Sequence, residues 1–224
     1  MPKTVFWVTQ VGEKDNDLVG KKCANLGEMA KLGLQVPPCF FISIEACRSF
    51  MRETGVAKDI QRYIRELVDP KKMGIKEIEK VSQDLRHMIQ RKEMSNALKQ
   101  QIGSHYRILC DSARETDVPV SVRSSGTESR PGMFETYFNV KGEDGLIEKI
   151  KEVWSSAYTA RAIAFRINKG IPIDSDTLGV GIVKMVNAKA AGVSFSIHPV
   201  TGDVSKIMIE ATWGLGEGVV KGTE

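Results

Sequence analysis

No run of 18 uncharged apolar residues occurs in the 224-residue sequence, which argues against a membrane-spanning helix. The opening MPKTVFWVTQ has neither a basic start feeding an apolar segment nor a small-residue cleavage site, so a cytoplasmic location is expected. Cysteine is scarce. Cys23, Cys39, Cys47 and Cys110 form no CxxC pair and have no neighbouring histidines, which disfavours a zinc site or a disulfide framework and leaves them as reduced, mostly buried thiols. Histidine is scarcer still. His87 and His105 fall in amphipathic stretches and are expected at the surface, and His198 in SIHPVTGD reads as a turn residue. None has a partner that would make it a nucleophile or a general base. Aromatic residues make up 7% and the net charge is only +4. Without interleaved aromatic and basic residues, a nucleic-acid binder is disfavoured, whereas a mildly basic cleft suits a small anion such as a nucleotide.

What the sequence has in quantity, up to about residue 117, is helical periodicity. LVGKKCANLGEMAKLGL predicts one helix of about four turns ending at Gly33. VPPCFFIS predicts a short strand, after which Ser43 is the N-cap of a helix that stops at Gly55. Residues 58–69, 75–90 and 93–113 carry apolar positions three and four apart among many charges, as surface amphipathic helices do. From Val118 strands take over: VPVSV, TYFNV, VGIVKMV, AGVSFSI and SKIMIEAT, with helices over 144–154 and 157–169 between the second and the third. The expected architecture is α+β, a helix-rich lobe over 1–117 and a mixed or antiparallel sheet lobe over 118–224. The ending VVKGTE reads as cut in mid-element.

Three segments offer chemistry. Gly20-Lys21-Lys22 is not a Walker A motif, since Asp15 stands where the first glycine belongs and Lys22 where the hydroxyl belongs. Lys22 at a helix start is nevertheless suited to phosphate, although two solvated lysines would give the same pattern. VPVSVRSSGTESRPGMFETYFNVKG delivers Arg123 from a strand into a loop with Ser124, Ser125, Gly126, Thr127 and Gly132. Arginine forks onto phosphate oxygens, and such loops can grip anions, though a polar hairpin connection is the plainer alternative. GLGEG at 214–218 lacks the GxGxxG spacing of a dinucleotide site and reads as a turn or a substrate-side loop. Glu210, at an expected strand end, and Glu217 in that loop could approach a metal–nucleotide complex, but solvated acids are the commoner case.

GKKCANLGEMAKLGLQVPPCFFIS, VSVRSSGTESRPGMFETYFNVKG, WSSAYTARAIAFRINKGI and VGIVKMVNAKAAGVSFSIHPVTGD with IMIEATWGLGEGVV, in this order, resemble the nucleotide-binding domain of the phosphoenolpyruvate synthase and pyruvate phosphate dikinase family. The resemblance covers most of the chain and is weakest over about 55–112. It implies an ATP-grasp type fold that binds ATP and supports phosphorylation of a histidine on a separate swivelling domain or subunit. The phosphohistidine then serves an acceptor, pyruvate first, with phenol or rifampicin in relatives. By the same resemblance Lys22 contacts phosphate, Arg123 bridges the phosphates as the catalytic cation, and Gly132 and Thr136 line the nucleotide loop.

The departures from the family pattern carry information too. Its GGKGANL is here GKKCANL, with Lys21 and Cys23 in place of glycines, and the glutamine of its VxVQxMV strand is Val183. Backbone groups around Lys184 to Val186 are left to meet adenine. The glutamine and glutamate pair that the resemblance implies for Mg²⁺ has no counterpart before Glu224, so metal ligands are expected beyond the chain and none within it. The phosphohistidine domain is likewise missing, which suggests a fragment or a subunit. A nucleotide-sensing module without chemistry is the competing expectation, supported by Lys21, Cys23 and Val183.

Overall fold

The computed structural model describes residues 3–67, 72–128, 130 and 132–222. In chain order the strands are β1 (Val5–Trp7), β2 (Cys39–Ile42), β3 (Val120–Ser125), β4 (Thr136–Val140), β5 (Gly179–Lys184), β6 (Ala190–Phe195) and β7 (Met208–Trp213). The helices are α1 (Asn16–Val19), α2 (Lys21–Lys31), α3 (Ile44–Glu53), α4 (Val56–Glu66), α5 (Ile75–Gln90), α6 (Asn96–Ala113), α7 (Glu143–Ser155), α8 (Ala160–Lys169) and α9 (Glu217–Lys221). A five-stranded sheet runs β1-β2-β5-β3-β4, antiparallel at every step. β6 and β7 form a separate antiparallel pair. The α+β expectation holds.

Strand alternation sorts the side chains of the large sheet onto two faces. Phe40 and Ile42 from β2, Val120 and Val122 from β3, and Val180 and Ile182 from β5 join a core with Phe50, Leu85, Ile102, Ile150 and Trp154 from the helices. Cys39, Phe41 and Val183, the intervening residues, join a smaller cluster with Val11, Val19, Cys23 and Ala24. Thus α2 covers one face while the longer helices cover the other. Local signals act as expected at α3, where the Ser43 hydroxyl oxygen accepts from the Ala46 amide at 3.2 Å, and Gly55 takes a left-handed φ of 74° just beyond its end.

Several expectations need correction. The single helix read over LVGKKCANLGEMAKLGL is two, because the chain turns at Gly20 (φ 81°, ψ 159°). The helix read over 58–69 begins at Val56 and ends at Glu66, and positions 68 and 69 lie outside the described residues. β1 carries no usable periodicity in its three residues and was not anticipated. Helices do give way to strands near residue 117, yet β1 and β2 share a sheet with β3, β4 and β5. The chain forms two compact units, Met1–Met185 and Val186–Glu224.

All four cysteines are free and buried. Burial pushes the thiols of Cys23, Cys39 and Cys47 up to about 12, so they are neutral and unreactive. His87 is exposed. His105, expected at the surface, is half-buried with its ring 5.1 Å from that of Trp7 and 5.5 Å from that of Phe40, because α6 lays it against β1 and β2. His198 lies in the connection between β6 and β7, where its Nδ1 accepts from the amides of Val200 and Thr201 at 3.3 Å. Among the described residues no helix is long and apolar enough to cross a membrane.

Candidate functional site

The site begins where α2 meets the end of β3. Lys21 N–H donates to the Gly126 carbonyl at 2.8 Å. The Cys23 amide donates to Ser125 Oγ at 3.1 Å. Gly20 makes this junction reachable: a Cβ there would lie 2.2 Å from the Ser125 carbonyl oxygen, on a backbone with φ +81°. Amides in the first helical turn have no intrahelical acceptor, and β3 supplies acceptors from a strand distant in sequence. The Asn16 side-chain amide adds a bond to the Thr127 carbonyl at 3.1 Å. The positive end of the α2 dipole is therefore fixed beside the β3 terminus.

Gly181 on β5 lets α2 come close. It stands opposite Arg123 in the β3–β5 register, and a Cβ on it would lie 3.1 Å from Cys23 Sγ. Cys23, which replaces a glycine of the family pattern, is thus seated over a glycine of the sheet. The neighbouring Val183 is 6% exposed in the same apolar cluster.

Arg123 is the one exposed residue in β3, whose burial otherwise runs unbroken from Val120 to Ser125. Alternation puts it with Ser121 and Ser125 on the face that α2 covers. Lys22 has exposed surface, yet its pKa lies below the ordinary 10.5, through partial withdrawal from water and then through the like charge of Arg123. Among the described residues no carboxylate pairs with Lys22 or Arg123. Two interacting cations at a helix N-terminus repel each other, and an anion relieves that repulsion.

Thr136 opens β4 directly opposite Arg123 in the β3–β4 register. Its neighbour Glu135 accepts from Arg86 Nη2 at 2.7 Å and from the Tyr137 hydroxyl, which ties the start of β4 to α5. Gly132 has φ +68°, and its carbonyl accepts from Arg161 Nη1 of α8 at 2.9 Å. Lys22, Arg123 and Thr136 thus converge through helix, strand and register. Gly132 stands in the β3–β4 connection, held from α8.

Some sequence expectations dissolve in this geometry. Ser124 and Ser125 are 1% and 0% exposed, since β3 continues through them; they are strand residues and not an exposed anion grip. The amides of Lys184 and Met185 already donate to the carbonyls of Pro38 at 3.0 Å and Pro119 at 2.8 Å. Two of the three amides from Lys184 to Val186 are therefore already engaged within the fold. Glu210 lies in mid-strand opposite Val193, not at a strand end, while Glu217 opens α9, so GLGEG is a turn passing into a helix. Among the described residues no group of three or more His, Cys, Asp or Glu is placed to hold a metal ion.

Residues 16–224 match the family model described as pyruvate phosphate dikinase, AMP/ATP-binding domain. The chain belongs to this family. It is 40% identical to phosphoenolpyruvate synthase of Aeropyrum pernix over 98% of this chain and 27% of that protein. Against the probable phosphoenolpyruvate synthase of Methanocaldococcus jannaschii the identity is 37%, over 99% of this chain and 19% of the relative. Phosphoenolpyruvate synthase of Pyrococcus furiosus is 34% identical over 97% of this chain and 31% of its own length. The chain thus spans less than a third of the length of each of these relatives.

Proposed function

We propose that this chain is the ATP-binding portion of a phosphotransferase that makes phosphoenolpyruvate from pyruvate through a phosphohistidine. The observation that carries this reading is the cluster of Lys22 and Arg123 at the start of α2, with no carboxylate partner among the described residues. Phosphoryl transfer asks a protein chiefly to position the phosphates and to neutralise their charge. Arg123 offers a planar fork to two oxygens, Lys22 a point charge, and the α2 terminus its dipole. Thr136 and Gly132 line the route past Arg123. Mg²⁺ accompanies the nucleotide in this reading, with ligands from outside this chain. The receiving histidine sits on a swivelling domain or another subunit, and the reaction belongs in the cytoplasm.

A competing reading, nucleotide sensing without chemistry, draws on Val183, which puts an apolar side chain where the family pattern has a glutamine. One experiment separates the two. In the full-length protein given labelled ATP and Mg²⁺, acid-labile label should accumulate on a histidine, and Arg123→Ala should slow this by on the order of 10³-fold with an unchanged melting temperature. Unimpaired labelling in Arg123→Ala would remove the role assigned to that arginine. Tight ATP binding with no labelled histidine would favour sensing.

A further inference from the structure

The β3–β4 connection is gripped from beneath by charges with no place in the site described so far. Arg166 of α8 is fully buried at 0% exposure. Its Nη1 donates to Asp176 Oδ2 at 2.5 Å and its Nη2 donates to the Ala157 carbonyl. The same Asp176 oxygen accepts from Arg130 Nη1 at 2.8 Å. Arg130 comes from the β3–β4 connection itself, and its side chain is only 15% exposed. Its Nε and Nη2 also donate to Glu128 Oε2 at 3.2 and 2.9 Å, and its guanidinium lies 5.2 Å from the centre of the Phe165 ring. Both edges of the Arg130 guanidinium are therefore engaged by carboxylates and one ring packs against it, which makes it a strut and not a spare cation.

The struts converge on one element. Arg130 is separated from Gly132 by a single residue, and Gly132 is held again through Arg161. A carboxylate shared by two guanidiniums in a largely dry setting is directional, since fork geometry and charge both specify where the second arginine sits. Arg130 and Gly132, held in this way, have lost much of the freedom that residues of a polar loop would keep.

We propose that Arg130 and Asp176 are positioning residues for nucleotide binding: anchored on buried Arg166, they fix the connection that presents Gly132 and leads to Thr136. The inference rests on the ATP-binding reading above and goes beyond it by naming residues that act without touching the nucleotide. Positioning effects of this kind show in affinity and turnover more than in global stability.

The test is ATP titration calorimetry on the full chain with Arg130→Gln, Asp176→Asn and the double variant, alongside Arg130→Lys and Arg123→Ala, with thermal melting of each. Arg130→Gln is expected to weaken ATP binding about tenfold while its melting midpoint stays close to that of the wild type. Arg130→Lys, which keeps a charge for Asp176, recovers part of that loss. In the double variant the loss should match that of Asp176→Asn alone, because the two residues act through one bond. Wild-type ATP affinity in Arg130→Gln, or losses that multiply in the double variant, would overturn the proposal. Its failure alone would show as binding lost in Arg123→Ala and kept in Arg130→Gln. Failure of the ATP-binding reading would show as no binding by the wild type at all.

Discussion

On one face of the five-stranded sheet Phe40, Ile42, Val120, Val122, Val180 and Ile182, each at 0% exposure, meet the side chains of α3, α5, α6 and α7. On the other face Cys39, Phe41 and Val183 cluster with Cys23 and Ala24 of α2, with Val11 and Val19 before it and with Val36 after it, and β3 adds Ser121, Arg123 and Ser125 to that side. The same strands supply both faces by alternation. The helical face spends its area on burial, the main source of folding free energy. The α2 face keeps a small cluster, enough to seat one helix, and devotes the rest to placing a helix terminus and two cations side by side. Damage to the first face should therefore reach stability, and damage to the second should reach the ligand.

Trp154→Ala should give the largest effect. Trp154 is 1% exposed and its ring packs 5.0 Å from that of Phe50, so truncation is expected to cost about 3–5 kcal/mol in denaturant unfolding. ATP affinity of the protein that remains folded should not change. Lost affinity in that folded fraction would break the division between the faces.

Gly20→Ala comes next. It forces an alanine into φ +81° and against the Ser125 carbonyl, with an expected cost of about 1–3 kcal/mol. ATP binding should weaken at least tenfold, because α2 must retreat from β3. A variant destabilised to that extent with unchanged affinity would show that α2 placement is irrelevant to the ligand.

The subtlest effect concerns pH. Because the Lys22 pKa is lowered from 10.5, the native protein releases this proton at a lower pH than the unfolded chain does. The unfolded state thus binds more protons in the window between the lowered value and 10.5, and the Lys22 contribution to stability rises with pH there. ATP affinity should fall through the same window as the ammonium is lost. Lys22→Arg, which stays charged, should flatten both trends. Measured by melting and titration over alkaline pH, trends of the same sign, or trends retained in Lys22→Arg, would contradict the assignment.

Parts of this arrangement were legible in the sequence for physical reasons. Arg123 is conspicuous as a charge interrupting an apolar strand, and Ser43 as a cap before helical periodicity. The strands from VPVSV to SKIMIEAT showed themselves through β-branched and aromatic content. The break at Gly20 did not, because the apolar spacing of LVGKKCANL continues across it. What sets it is Ser125, 102 residues beyond the Cys23 amide that it caps. The burial of Ser124 and Ser125 was hidden for the opposite reason: two serines beside glycine look like loop until the strand is seen to continue through them. Arg130, Asp176 and Arg166 were invisible as a group, being 46 and 10 residues apart, and charges at such spacings read as solvated until the fold brings them together.

The central claim is that the α2 face is an anion site whose charged element is Arg123. Its most direct test is calorimetric titration of ATP into the wild-type protein and into Arg123→Ala, with melting temperatures recorded for both. The account predicts saturable binding by the wild type, a loss of at least tenfold in Arg123→Ala, and melting temperatures within a few degrees of each other, since Arg123 is exposed and has no ion-pair partner among the described residues. Equal ATP affinity in the two proteins would contradict it.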